Sequence, residues 1–396
     1  MSTNNAFQTN ELTNLVNLRA AEVAGYLTVG AKPYFADQLV GKRNGQTYNF
    51  VIKDAGKYVR GKNITGKASA IKEREVSKTV QVGSIMINTN FVEAVTDVNW
   101  DKEIATPNGT TLIEGLTQDV IMDDLGRANT AFVGEGFGPL TKANAFLSSI
   151  SNEKKYGFVD PMIDSICSNW GTSFKPVEGV AVLDAKGELS RVGNTDYRMQ
   201  QFLPSFEITE DLYEKLGSAT VSSFSNSPMD LPVTAINPDL EFADDEPVPT
   251  TKVRILGLTG ALFGDIPVGT PLFIEDVMAT NLIGNKTNSY KAFIVLGKYT
   301  TNAYYVRDLD LGANGQGTRE VVFKDGTTVT TEGLVGKKLV NIIKPGLYYT
   351  GLVRLDGTME FDTLKKQDWS NAELTSDGLE GITVHCARAV NVEARN

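Results

Sequence analysis

Apolar positions change their spacing several times along this chain, and each change marks a part of it. After a polar opening rich in Asn and Thr, Leu12, Leu15, Val16, Ala20 and Val23 recur at helical spacing. They predict a short amphipathic helix within an N-terminal arm, residues 1–33. From Tyr34 to Trp100 the signal turns to strands. Thr47 to Ile52 alternates aromatic and β-branched residues, and Val76–Val82 followed by Ile85–Val92 predicts two paired strands around Gly83-Ser84. Between the first and second of these runs lies GKYVRGKNITGKASAIKERE, with Gly56, Gly61 and Gly66 evenly spaced. This region, residues 34–100, is expected to hold a long protruding β-hairpin.

A capping box at Thr111–Glu114 opens the strongest helical pattern: Leu112, Ile113, Leu116, Val120, Ile121, Leu125, Ala128 and Phe132, up to Gly134. At 1.5 Å per residue this helix would span about 35 Å, the spine of a subunit. A second helix is expected from Thr141 to Ile150, then a strand Tyr156–Val159. Asp160-Pro161 follows, an N-cap with proline in the first helical position, and starts a helix through Ile166. Val177–Leu183, Leu189–Val192 and Phe202–Ile208 read as strands, and Thr209–Leu216 as a capped helical turn. Residues 101–237 thus form an α/β core. At Asn237–Thr251 three prolines flank the acids Glu241, Asp244, Asp245 and Glu246, which predicts a linker.

Beyond it helix signals nearly vanish. Lys252–Leu258, Pro271–Asp276, Tyr290–Leu296, Ala303–Val306, Glu320–Phe323, Thr327–Thr331, Lys338–Ile343 and Leu347–Val353 are short β-type runs between Gly and Asn turns. Residues 238–345 are therefore expected to form a small β-barrel or sandwich. Gly351–Phe361, with its Asp356-Gly357 turn, and the strand Gly381–Val392 return to the first unit, so residues 346–396 complete the core. The expected class is α+β.

With 396 residues the chain can hold more than one packed unit, and a 41% hydrophobic content is that of a folded globular protein. Its 38 basic against 48 acidic residues, net −10, disfavour a polycation that reads nucleic acid. The charge is unevenly placed. Gly41–Asn90 carries ten basic residues and three acids, so this stretch is +7 and the remainder −17. Lys57, Arg60, Lys62, Lys67, Lys72, Arg74 and Lys78 stand out on an otherwise acidic protein. Three readings of them remain: a phosphate-binding patch, a contact with an acidic neighbouring subunit, or a solvated face. With only Tyr48, Phe50 and Tyr58 nearby there is no run of interleaved aromatics for base stacking.

Candidate chemistry is sparse. His385 is the one histidine; it and Cys386 are consecutive residues of an alternating strand, so they face opposite ways and make no nucleophile–base pair. Cys167 and Cys386 have no metal or redox spacing, which fits a reducing compartment. Neither Asp123-Asp124 nor Asp244–Glu246 has the alternation of a calcium loop. Gly134–Gly138 ends a helix instead of opening one, and neither it nor Gly312–Gly317 carries Lys-Ser or Lys-Thr, so turns explain both. No catalytic residue, cofactor or metal site is expected. The opening MSTNNAFQ has no basic region or apolar run, so no secretory signal is expected, and no stretch of about eighteen apolar residues predicts a membrane span.

The order polar arm, basic hairpin, spine helix, α/β body, inserted β-domain and return strand resembles the major capsid proteins of tailed bacteriophages with the HK97-like fold. Within that family it is most similar to short-tailed phage coats with an inserted β-barrel. Three stretches carry the likeness: RGKNITGKASAIKEREVSKTVQVG (Arg60–Gly83) looks like the extended loop and its return strand, YGFVDPMIDSIC (Tyr156–Cys167) like the strand that ends in Asp-Pro before a helix, and LTGALFGDIPVGTPLFIEDV (Leu258–Val277) like the start of the inserted domain. FIVLGKYTTNAYYVRDLDL, from Phe293 to Leu311, is similar to an edge hairpin of that barrel.

The resemblance implies an N-arm, an extended loop, a spine helix, and peripheral and axial domains. It implies self-assembly through hexamers and pentamers into an icosahedral head enclosing double-stranded DNA, in the virion, after assembly in the host bacterial cytoplasm. Scaffolding, portal and decoration proteins are its implied partners, and no membrane. Lys62 and Asn63 have no environment that licenses a subunit cross-link, and no scaffolding segment precedes the hairpin, so a separate scaffolding protein is expected. The alternative from another class is a β-rich binding module, such as a tail or adhesin component; it explains the β-domain but not the basic arm.

Overall fold

The computed structural model describes in full residues 154–165, 194–238, 250–260, 265–280, 285–307 and 321–353, with positions 121, 125, 143–145, 147, 148, 241 and 248, and elsewhere the backbone of strands. In chain order the first strands are β1 (Ala31–Lys32), β2 (Thr47–Asp54), β3 (Lys72–Thr79), β4 (Val82–Thr89) and β5 (Thr130–Val133). Then come β6 (Lys155–Val159), β7 (Ala181–Leu183), β8 (Leu189–Val192), β9 (Thr195–Met199) and β10 (Ser205–Ile208). Helix α1 (Glu210–Ser218) leads into β11 (Thr220–Phe224), β12 (Met229–Pro232), the short α2 (Val233–Ile236) and β13 (Thr250–Thr259). β14 (Pro271–Thr280), β15 (Lys286–Thr300), β16 (Ala303–Arg307), β17 (Val321–Phe323) and α3 (Thr331–Leu334) follow. The last strands are β18 (Gly346–Leu355), β19 (Met359–Phe361), β20 (Ser370–Leu374), β21 (Ile382–Ala389) and β22 (Val392–Ala394). The architecture is a mixed α/β one in which sheet predominates.

The body is built on a sheet in the order β10-β18-β6-β9-β8-β7, with β5 also on β18. β6 and β9 run parallel, so the chain must cross over between them. The crossover starts as its residues require: the Met162 amide donates to Asp160 Oδ1 at 2.8 Å and the Asp164 amide to the Asp160 carbonyl at 3.0 Å. Burial raises the Asp160 carboxyl above its usual range, a shift the Met162 bond opposes. Gly157 pairs in register with Tyr197, and a Cβ there would lie 2.3 Å from the ring's Cε1. Tyr197 is buried and cannot swing away. Gly157→Ala is expected to cost about 1–3 kcal/mol, read as a lower denaturant midpoint at unchanged slope; an unchanged midpoint contradicts this packing.

Two expectations are corrected here. The helical pattern of 111–134 does not reach its predicted end, because Thr130–Val133 is strand β5, paired with Val353–Thr350 of β18. Thr130, Phe132 and Val133 suit a pleated ladder, and the long-range pairing overrides the helical period. The Leu125 amide does donate to the Ile121 carbonyl at 2.8 Å, one helical turn; the remaining positions of that helix lie outside the described residues. The strands expected to pair around Gly83-Ser84 do not pair with each other. β3 pairs with β2, from Thr47↔Thr79 to Asp54↔Lys72, and β4, which contains Gly83 and Ser84, pairs with β21. Alternation identifies a strand but not its partner.

Between β10 and β18 the chain leaves the body and returns. Those two strands are themselves antiparallel neighbours, Ser205↔Tyr349 to Ile208↔Gly346, so everything from 209 to 345 is an insertion between adjacent strands. Thr209 caps α1, its side chain accepting from the Leu212 amide at 3.2 Å. The inserted sheet runs β11-β13-β16-β15-β14-β17, with β12 also on β13. It takes in β11 and β12, which precede residue 238, and the proline- and acid-rich stretch after Asn237 joins β12 to its antiparallel neighbour β13.

Residues 336–340 close the sheet. On one side the Gly336 amide donates to the Val221 carbonyl and the Val221 amide to the Lys337 carbonyl, both at 2.8 Å. On the other the Glu275 amide donates to the Lys338 carbonyl at 2.9 Å and the Val340 amide to the Phe273 carbonyl at 2.8 Å. β11 and β14, the strands on either side of this segment, are thus linked through it, with no open edge between them. One neighbouring expectation holds only in part. Of the run Thr327–Thr331, Thr328 forms an isolated bridge with Val322, but the run ends in helix α3 at Thr331, because Thr330 Oγ1 accepts from the Gly333 amide at 3.1 Å and starts a turn.

Inside the ring lies one apolar cluster, including Leu256, Phe293, Val295, Tyr304, Val306 and Leu334, with Leu212 and Leu216 of α1. Burying each such side chain contributes about 1.5–3 kcal/mol. Tyr304 is fully buried, and burial pushes its hydroxyl up to about 12. A folded value raised from 10 means stability present below pH 10 and lost as pH rises through 12, about 2.7 kcal/mol at 1.36 per unit. Alkaline unfolding of the native chain should therefore be steeper over that window than that of Tyr304→Phe. Equal slopes contradict a neutral buried Tyr304.

Candidate assembly surfaces

The basic residues divide between described and undescribed positions. Lys72, Arg74 and Lys78 occupy alternating positions of β3, opposite Asp54, Ile52 and Tyr48 of β2. Glu73 and Glu75 occupy the intervening positions. Lys57, Arg60, Lys62 and Lys67 lie outside the described residues, in the segment joining the two strands. The antiparallel ribbon β2–β3 therefore carries part of the positive stretch on its return strand.

Conventional chemistry finds little support. His385 pairs with Asn371 on one side and Met86 on the other, and Cys386 with Ser370 and Ile85, as consecutive residues of β21. Among the described residues no three His, Cys, Asp or Glu side chains cluster as metal ligands. No helix among them is long and apolar enough to cross a membrane. A crevice between α1, β14 and residues 339–343, lined by Ile208, Leu216, Thr270 and Leu272, is of water size, far below the volume of a small-molecule site. Cys167, Asp123-Asp124, Asp244–Glu246, Gly134–Gly138 and Gly312–Gly317 lie outside the described residues.

The surface of the inserted sheet is laced with ion pairs: Lys337–Asp276 at 2.8 Å, Lys298–Asp265 at 2.6 Å and Lys252–Asp230 at 2.7 Å. Exposed pairs of this kind contribute about 0–1 kcal/mol each. Asp276 is also the one described residue other than glycine with a left-handed backbone, φ 64°, at a break in the β14–β15 register. Sequence reasoning had no signal for the exposed apolar residues Ile342 and Leu347, 49% and 52% exposed, beside Lys344-Pro345 where the chain leaves the inserted sheet. Leu347 alternates with Tyr348, whose ring stacks on Phe206 at 5.6 Å, so the inward position takes the aromatic and the outward one the leucine. Single exposed apolar side chains are normal on a folded surface.

No protein-family model matches this chain, and no curated protein does. Among solved structures, a capsid structure of the cyanophage P-SCSP1u is similar over 88% of this chain and 82% of its own, at 12% identity and a TM-score of 0.28. A virus-like particle from Pyrococcus furiosus gives 10% identity over 88% of this chain and 95% of its own, TM-score 0.29. The acid-stable capsid of the Helicobacter pylori bacteriophage KHP30 gives 11% over 82% and 88%, TM-score 0.30. Superpositions this loose carry no argument about fold or function.

Proposed function

We propose that this chain is a structural subunit that assembles with copies of itself into a closed shell. More particularly, it is the major capsid protein of a tailed bacteriophage, an HK97-like coat with an inserted β-barrel, forming the icosahedral head around double-stranded DNA. The observation that carries the reading is topological. A closed sheet is inserted between the adjacent strands β10 and β18 of an α/β body, and the chain also forms a separate antiparallel ribbon, β2–β3, that pairs with no strand of that body and carries part of the basic stretch. A shell wall needs a body to tile and arms to reach a neighbour, burying area that one flat contact does not supply.

In this reading the ribbon, with the +7 stretch, lies over an adjacent subunit drawn from the −17 remainder. Added salt weakens early assembly, since the Debye length falls from about 10 Å at 0.1 M to about 3 Å at 1 M. An acidic wall leaves packed DNA unbound by sequence. The chain acts as no enzyme, and scaffolding, portal and decoration proteins are its partners. Sedimentation of the purified chain tests the reading. Species on the order of hundreds of subunits support it, whereas one to six subunits under every assembly condition point to a tail or adhesin module.

A further inference from the structure

The chain passes between the body and the inserted sheet at one place. It enters by β10 and leaves by β18, and these strands pair with each other. On that side the apolar cluster also runs on from Phe206 and Ile208 into Leu256 and Val295. A junction along one strand pair is a hinge line, about which an inserted unit can swing. A second connection is made from another strand of the inserted sheet, one that pairs with neither β10 nor β18. Arg307, the last residue of β16, donates from Nε and Nη2 to the Leu125 carbonyl at 3.1 and 2.5 Å.

This contact spans 182 residues of sequence and is dry: Arg307 is 6% exposed and Leu125 fully buried. Leu125 is itself fixed, since its amide closes the helical turn from Ile121 at 2.8 Å. A guanidinium held by two donors on a buried main-chain oxygen is the strong, directional form of hydrogen bond. Removing it leaves a buried acceptor without that partner. We infer that Arg307 is a second anchor, locking the inserted sheet to the helical turn that lies five residues before the body strand β5, so that the sheet is mounted at two points instead of hinged at one. The anchor is a positioning device, and any contact made by the inserted sheet is thereby coupled to the helix at 121–125.

The inference does not need the shell reading, and its test uses the unassembled full chain. Spin labels go on Ser148→Cys in the body and Thr301→Cys on the inserted sheet, with Cys167 and Cys386 changed to Ser. Electron-resonance distance measurement should give one narrow distribution for the chain with Arg307, a broad one for Arg307→Met, and an intermediate one for Arg307→Lys, which keeps a single charged donor. In parallel, hydrogen exchange of the Leu125 amide should quicken about tenfold in Arg307→Met, while 253–258 and 293–296 keep their protection. Narrow, unshifted distances in both variants overturn the proposal. So does loss of protection throughout 253–258 and 293–296 in both, which makes Arg307 a support of the sheet's own fold.

Discussion

Changing Lys57, Arg60 and Lys62 together to glutamate is expected to abolish shell formation while leaving the subunit folded. Each reversal moves the charge by two, so three take the basic stretch from +7 to +1 and the chain from −10 to −16. The stretch then no longer complements an acidic neighbour, and opposed like charges at a contact cost several kcal/mol. In the proposed shell every subunit would make that contact, so the loss would recur across the whole shell, and yield should fall by more than about tenfold. The ladder between β2 and β3 is a backbone one, from Thr47↔Thr79 to Asp54↔Lys72, and none of the three residues belongs to it. Gradient sedimentation with circular dichroism on the same preparation reads both halves. Normal particles from the triple variant contradict the electrostatic arm; so does a variant whose helical and sheet signals are lost.

Phe293→Ala is expected to have the largest effect on stability. Phe293 is 3% exposed on β15 and meets Phe224 edge to face, with ring centroids 6.3 Å apart. Removing it forfeits the transfer energy of a buried aromatic and opens a cavity in a sheet that cannot collapse freely because it is closed on itself, about 3–5 kcal/mol. Val335, 48% exposed, is the control, and its change to Ala should stay within about 0.5 kcal/mol. Exchange protection of 253–258 and 303–307 measures both in the full chain. A loss below about 1 kcal/mol in Phe293→Ala contradicts the packed interior.

Local pattern was enough to find most of the inserted sheet. β13 alternates where it begins, with Thr251 and Val253 buried on either side of exposed Lys252, and its continuous apolar run Leu256–Leu258 is buried on both faces. The cap at Thr209 and the Asp160-Pro161 start were equally legible, because each is a hydrogen bond made within three residues. What escaped was whatever depends on distant partners. The closing segment carries Lys337 and Lys338 and bonds through its backbone, so no apolar period announces that it bridges β11 and β14. β5 hid inside a helical period because its ladder to β18 lies more than two hundred residues away. Thr327–Thr331 has β-branched residues, but the Thr330 hydroxyl is spent on a helix start. The basic stretch was legible as charge on an acidic chain. Arg307 was not, because one arginine at a strand end gives no hint that it reaches a carbonyl near residue 125.

Negative-stain electron microscopy of the chain, expressed alone and with its neighbouring genes, tests the central claim most directly. The shell reading predicts closed or aberrant shells on the order of hundreds of ångströms across in at least one of the two preparations. Only small discrete particles in both would contradict it.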